Sequence, residues 1–172
     1  MSGAIFFDRD NTLTMDYGYT WKISDFAFLH DSAEALALLE KHKIPVFIVT
    51  NQSGIARGYF KETDMLNFNQ YLKEQVALKG GNVLDISYCP HHPDYLDQYN
   101  SEFCNCRKPL PGMLNMISQK WSIDLSKSIM IGDQQSDLEA GIAAGCLKSY
   151  LIEPTDSRVA LCKQIILKYF MD

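Results

Sequence analysis

Residues 5–13 read IFFDRDNTL, an apolar run that breaks off into two aspartates one residue apart. Residues 4–7 have the character of a buried strand, so Asp8 and Asp10 stand at its carboxyl end. In an open α/β sheet the ligand crevice lies beyond those ends. Outward from this stretch the chain supplies such a sheet. Strand candidates at 46–50, 86–88, 128–131 and 149–152 alternate with helix candidates at 32–42, 62–78, 111–121, 136–144 and 158–169. The first of these helices follows an Asp31-Ser32 pair that reads as its cap. Strand–helix alternation predicts an α/β fold: a doubly wound, Rossmann-like, three-layer domain with a central parallel sheet. The connections from Asp10 to Ser32 and from Asn51 to Glu62 leave no room for a large cap domain.

Composition is compatible with one domain over 1–172. Hydrophobic residues make up 47% and charged residues 22%, a balance that argues against a disordered or membrane-spanning class. The net charge of −5 provides no basic face for nucleic acid. No basic leader precedes the first strand, so the expected compartment is the cytoplasm. There the five cysteines read as thiols or metal ligands rather than disulfides.

Two further strand ends carry polar groups. VTNQSG (49–54) puts Thr50 and Asn51 after one strand, and MIGDQQSD (130–137) puts Asp133 and Asp137 after another. Neighbouring carboxylates repel, and a bound cation relieves them. Mg2+ suits hard oxygen ligands and a substrate phosphate. A carboxylate can also attack phosphorus, with a second carboxylate two residues on acting as acid and base. Asp-x-Asp by itself is more simply a turn or a helix cap. Its combination with the Thr50 and Asp133 segments favours a site.

Residues 89–111 have no usable period and are rich in Pro, Asp, His and Cys. Cys89-Pro-His91 and Cys104-Asn-Cys106 form two tight pairs, a Cys3His set fit for structural Zn2+. His92 stands beside His91 as a competing ligand. A zinc-bound loop over 89–106 would gain from the ion the order that packing cannot supply. Cys146 and Cys162 are isolated in apolar surroundings and read as buried thiols. Arg57 reads as a loop-fixing group.

DRDNTL (8–13), VTN (49–51), RKP (107–109) and GDQQSD (132–137) together resemble the four-motif pattern of the haloacid dehalogenase superfamily. DYGYT (16–20), TNQSGIARGYF (50–60), YCPHHP (88–93) and CNCRKPLPGML (104–114) narrow the likeness to the D-glycero-D-manno-heptose 1,7-bisphosphate phosphatases, close to the histidinol phosphatases. The resemblance implies a magnesium-dependent phosphomonoester hydrolase acting on a small sugar phosphate. In that family the reaction releases the C7 phosphate, in the making of heptose precursors for lipopolysaccharide or related glycans. Asp8 would be the nucleophile and a Mg2+ ligand, Asp10 the general acid/base with its backbone carbonyl on the ion, and Asp133 a further ligand. Thr50 and Lys108 would hold the transferring phosphoryl. Asp16, Tyr17, Gly18, Tyr19, Thr50, Asn51, Gln52 and Ser53 would line the substrate, with Arg107 recognising it. The family's Cys-x-His spacing favours His91 over His92 for zinc, and the resemblance implies a monomer.

Two positions depart from the family pattern, Asn11 for Gly and Gln134 for Lys. Asn tolerates a left-handed backbone better than most residues. Gln134 removes a cation near the metal. The alternatives are a histidinol-phosphate phosphatase and a catalytically inactive, zinc-stabilised binding protein.

Overall fold

The structure, a computed structural model, describes residues 2–95 and 104–171. Residues 96–103 of the expected zinc loop lie outside the described residues.

Five strands form one parallel sheet: β1 (Ile5–Phe7), β2 (Val46–Asn51), β3 (Asp85–Cys89), β4 (Ile129–Gly132) and β5 (Lys148–Leu151), in the spatial order β3-β2-β1-β4-β5. Strand order reverses at β1, so the crevice between β1 and β4 is the topological switch point. Phe7 pairs with Ile48 on one side and Ile131 on the other. β1 and β4 are buried throughout, as a parallel strand covered on both faces requires.

The period-2 alternation of side chains divides the core in two. Ile5, Phe7, Ile48 and Ile131 pack against α1 (Ser32–Lys41), α2 (Glu62–Leu78) and α5 (Arg158–Ile165) through residues such as Leu36, Leu72 and Ile165. Phe6, Phe47, Val49 and Met130 pack on the other face against α3 (Gly112–Trp121) and α4 (Gln135–Ala143) through Met113, Ile117 and Ala140. The predicted elements form within a residue at most boundaries. The exception is the last helix, which passes into a π turn at Ile166–Phe170. No large inserted cap lies among the described residues, since the chain after β1 and after β2 returns quickly to α1 and α2.

One expectation fails in detail. The Asp31 side chain makes no capping hydrogen bond to α1. It turns instead to the start of α5, where Oδ1 accepts from the Arg158 amide at 2.8 Å and Oδ2 from the Val159 amide at 3.2 Å and from the Ser157 hydroxyl. The first amides of α5 are orphan donors, and a carboxylate from across the fold satisfies them. Those hydrogen bonds hold the Asp31 carboxyl below the ordinary carboxylate range despite partial burial.

No helix among the described residues is long and apolar enough to cross a membrane.

Candidate active site

β1 delivers Asp8 to the switch point, where its amide donates to the Ile131 carbonyl of β4 at 2.9 Å. Oxygens of Asp8, Asp133 and Asp137 there lie within 4.8 Å of one another. Among the described residues, one ammonium answers them. Lys108 Nζ donates to Asp8 Oδ1 and Asp137 Oδ1, both at 2.6 Å, and to the Val49 carbonyl at 2.8 Å. Burial works against the Lys108 charge, but the two carboxylates outweigh it and raise its pKa. Asp8 is pushed up to about 8, first by burial and then by Asp137 and Asp10, with Lys108 opposing. Asp133 is likewise raised, chiefly by burial.

The arithmetic of charge is unfavourable: three carboxylates face one buried ammonium, a deficit that a divalent cation would cancel. The donor atoms fit Mg2+, since they are hard oxygens on more than one strand end. Asp137 is less available. Its Oδ2 accepts the Gln134 amide at 2.9 Å in a capping box of α4, while Oδ1 is taken by Lys108. The cap and the ion pair therefore use one oxygen each. Gly132 is dictated by this contact, because a Cβ there would stand 2.2 Å from Asp137 Oδ2. Asp133 accepts from Gln134 Nε2 at 2.8 Å and from the Thr12 hydroxyl at 3.4 Å. Gln134 is thus a neutral brace on Asp133 at a position where the resemblance expects a cation.

The turn after Asp8 needs Asn11 at φ 58°, in the left-handed region where Asn is tolerated, as the sequence suggests. Arg158 secures that turn. It is fully buried and donates through Nε to the Thr12 carbonyl at 2.9 Å and through Nη2 to the Asn11 carbonyl at 3.3 Å.

Asp10 sits in a clamp. Arg9 Nε donates to Asp10 Oδ1 at 2.8 Å and Nη2 to Oδ2 at 3.0 Å; Gln52 Nε2 adds a bond to Oδ2 at 2.9 Å. Arg9 is itself fully buried, bonded to Asn69 Oδ1 and the Thr20 carbonyl, with its guanidinium over the Phe68 ring.

A cavity of about 270 Å³ opens above these groups, lined by Asp8, Asp10, Asp133 and Lys108 together with Asp16, Gly18, Tyr19, Asn51, Gln52 and Ser53. Not every candidate from the sequence opens onto it. Thr50 is 1% exposed, beneath the floor. Tyr17 is 66% exposed and lines a separate surface groove with Ser24–Ala27. Arg107 lines an adjoining groove with Lys108, and its Nη1 donates to the His91 carbonyl at 3.2 Å. Asp16 works on its own loop, accepting from the amides of Gly18 and Thr20 at 3.1 and 3.0 Å. Asn51 braces Lys108: its Nδ2 donates to the Lys108 carbonyl at 3.1 Å and its Oδ1 accepts the Lys108 amide at 3.0 Å.

Beside the cavity, Cys89, His91, Cys104 and Cys106 converge. The sulfurs of Cys89 and Cys104 are 3.5 Å apart and those of Cys104 and Cys106 are 3.4 Å apart. His91 Nδ1 is 3.5 Å from the Cys89 sulfur and 3.4 Å from that of Cys106. Disulfide sulfurs would be about 2 Å apart, whereas sulfurs around one tetrahedral zinc stand roughly 3.7 Å apart. Cys106 is pushed down, first by its hydrogen bond with Cys89. Cys89 moves upward as the partner that keeps the proton. His92 faces elsewhere, with its Nε2 2.9 Å from Arg57 Nη2. Arg57 in turn lies over the rings of Tyr19 and Tyr95. Cys146 and Cys162 are both raised to about 12 by burial, as inert thiols are.

Arg9, Arg158 and the bracing use of Asn51 and Gln52 are missing from a reading of the sequence. Their partners lie far away along the chain or, for Arg9 and Asp10, in a contact between neighbours that no periodic pattern reveals.

The chain is also similar to known proteins. A family model described as HAD-hydrolase-like matches residues 105–158. A D-glycero-beta-D-manno-heptose-1,7-bisphosphate 7-phosphatase of Haemophilus influenzae is 42% identical over 152 residues, covering 88% of this chain and 82% of the relative. The enzyme of that name from Escherichia coli K12 is 39% identical, covering 82% of this chain and 74% of the relative. Among solved structures, the D,D-heptose 1,7-bisphosphate phosphatase of B. bronchiseptica, complexed with magnesium and phosphate, superposes with a TM-score of 0.84 at 29% identity, over 96% of this chain and 99% of that one. With its acidic cluster at the switch point of this sheet, the chain belongs to the heptose 1,7-bisphosphate 7-phosphatase family of the HAD-like hydrolases.

Proposed function

We propose that this chain hydrolyses the C7 phosphate of a D-glycero-D-manno-heptose 1,7-bisphosphate through a phosphoryl group carried on Asp8, supplying heptose precursors. The observation that carries the reading is the single Lys108 ammonium held between Asp8 and Asp137 beneath an acidic cavity. An oxygen of Asp8 attacks phosphorus as the bond to the C7 oxygen breaks. That oxygen leaves with a proton from Asp10. Water then attacks the phosphoryl group, gives a proton to Asp10, and phosphate departs as Asp8 is regenerated. Lys108 is the fixed positive charge for the phosphoryl oxygens. Asp8, Asp133 and the Asp10 backbone carbonyl would hold Mg2+, which when bound supplies charge neutralisation at the phosphoryl group. Arg107, next to Lys108 in an adjoining groove, is the best candidate for the retained C1 phosphate.

Cys89, His91, Cys104 and Cys106 would hold Zn2+ in a structural role, because a closed four-ligand set leaves no position for a reacting water. The ion would tie the loop to Arg107 and Lys108, which directly follow Cys106. Cys104→Ser is expected to lose zinc and to raise KM about tenfold or unfold the loop. Metal content, limited proteolysis and steady-state kinetics check this together; a zinc-free variant with unchanged kinetics would remove the coupling.

The deciding experiment measures phosphate release from both anomers of the heptose bisphosphate and from histidinol phosphate, with Mg2+ and with EDTA. Magnesium-dependent release with preference for the bisphosphate is expected. Preference for histidinol phosphate overturns the substrate, and no release from folded, zinc-loaded protein favours a binding role.

A further inference from the structure

Gln52 reaches the cavity lining yet is only 4% exposed, and both of its amide donors are spent. Nε2 lies 2.9 Å from Asp10 Oδ2 and 2.9 Å from Thr50 Oγ1. Arg9 donates to both Asp10 oxygens, and Gln52 presents its NH2 end to Oδ2 beside them. The same nitrogen donates to the Thr50 hydroxyl.

We propose that Gln52 is a positioning residue rather than a substrate contact: one amide, anchored on the buried Thr50 hydroxyl, fixes the Asp10 carboxylate. It ties the acid/base at the end of β1 to the hydroxyl at the end of β2. Arg9 holds the other side of the carboxylate, through Oδ1 and Oδ2. Removing Gln52 therefore leaves Asp10 attached and lets it pivot about the guanidinium, a displacement that costs rate more than binding.

The inference rests on the phosphatase reading above, and its test separates the two. Gln52→Leu and Gln52→Glu are compared with wild type on the heptose bisphosphate, with thermal melts to establish folding. Gln52→Glu keeps the shape and, when ionised, cannot donate to Asp10, so its kcat measured across pH tests the claim even if the Leu variant unfolds. Both are expected to lower kcat about 10- to 100-fold with KM within about threefold. In an Asp10→Asn background, Gln52→Leu is expected to cost much less than it does alone. A raised KM with unchanged kcat would make Gln52 a substrate contact. Wild-type kcat in the Glu variant would make it a space filler, and losses that multiply in the double variant would uncouple it from Asp10. Each of these overturns the proposal. Should wild type prefer another phosphate monoester, the substrate reading fails alone, and the same kcat and KM comparison is made on that compound.

Discussion

Asp8→Asn is expected to lower turnover by on the order of 10⁴-fold or more while leaving the protein folded. The two effects come apart because of where Asp8 sits. Asn has the same outline and its carbonyl oxygen can still accept from Lys108 Nζ, which approaches Asp8 Oδ1 at 2.6 Å. Packing at the end of β1 is therefore preserved. The substitution also removes a carboxylate whose ionisation burial disfavours, so the metal-free variant should melt at or above the wild-type temperature. What the amide cannot do is attack phosphorus, and it is a poorer ligand for a hard cation. The stabilisation that Mg2+ gives by binding the folded state should shrink accordingly. Phosphate release and melts with and without Mg2+ read all three. Turnover within tenfold of wild type would remove Asp8 as nucleophile.

The parts of this site that could be read from sequence are those fixed by strand ends. IFFD, VTN and MIGD each carry their own evidence of a buried strand followed by a polar group, and a parallel sheet brings such ends to one rim. Asp8 and Asp133 meet for that reason, and Asp137 joins them from the first turn of α4. The Cys-x-His and Cys-x-Cys pairs were equally legible, because two short spacings of metal-binding residues are rare by chance. Lys108 is different. It follows a loop with no period, and only the resemblance drew it toward Asp8. The network around the site was not legible at all. Arg9 lies in a run that reads as a strand-end turn, Asn51 as a substrate contact and Arg158 as an ordinary helix start. Their roles depend on hydrogen bonds to residues up to 147 positions away, and periodicity carries no information about such partners. Asp31 makes the same point in reverse. Its local sequence fits a cap for α1, yet its carboxylate serves α5 because tertiary contact brings a second set of orphan amides within reach.

Lys108→Met should produce the largest loss of stability among these variants. In the wild type its ammonium accounts for the charge of Asp8 and Asp137 and for the Val49 carbonyl. The side chains of Lys108 and Asp137 are each 2% exposed, so water cannot replace the lost partner. Deleting one member of a buried ion pair leaves its partners uncompensated, at a cost of about 3–5 kcal/mol. Met fills the space of the lysine stem, which excludes a cavity as the cause. The deficit should be greatest at neutral pH. There the unfolded chain ionises both aspartates freely, while the variant's folded state, lacking the ammonium, resists their ionisation. It should fade toward pH 4, where the carboxyls of the unfolded chain also take up protons. Added Mg2+ should return part of the stability, because a cation near Asp8 supplies some of the missing charge. It should not return activity, since the phosphoryl oxygens still lack a fixed donor, and a loss of about 10³-fold is expected. Urea unfolding at neutral and acidic pH, with and without Mg2+, separates these contributions. A metal-free Lys108→Met protein as stable as wild type at neutral pH would mean that the carboxylates at the switch point do not depend on this ammonium, and the charge argument for a bound cation would lose its main support.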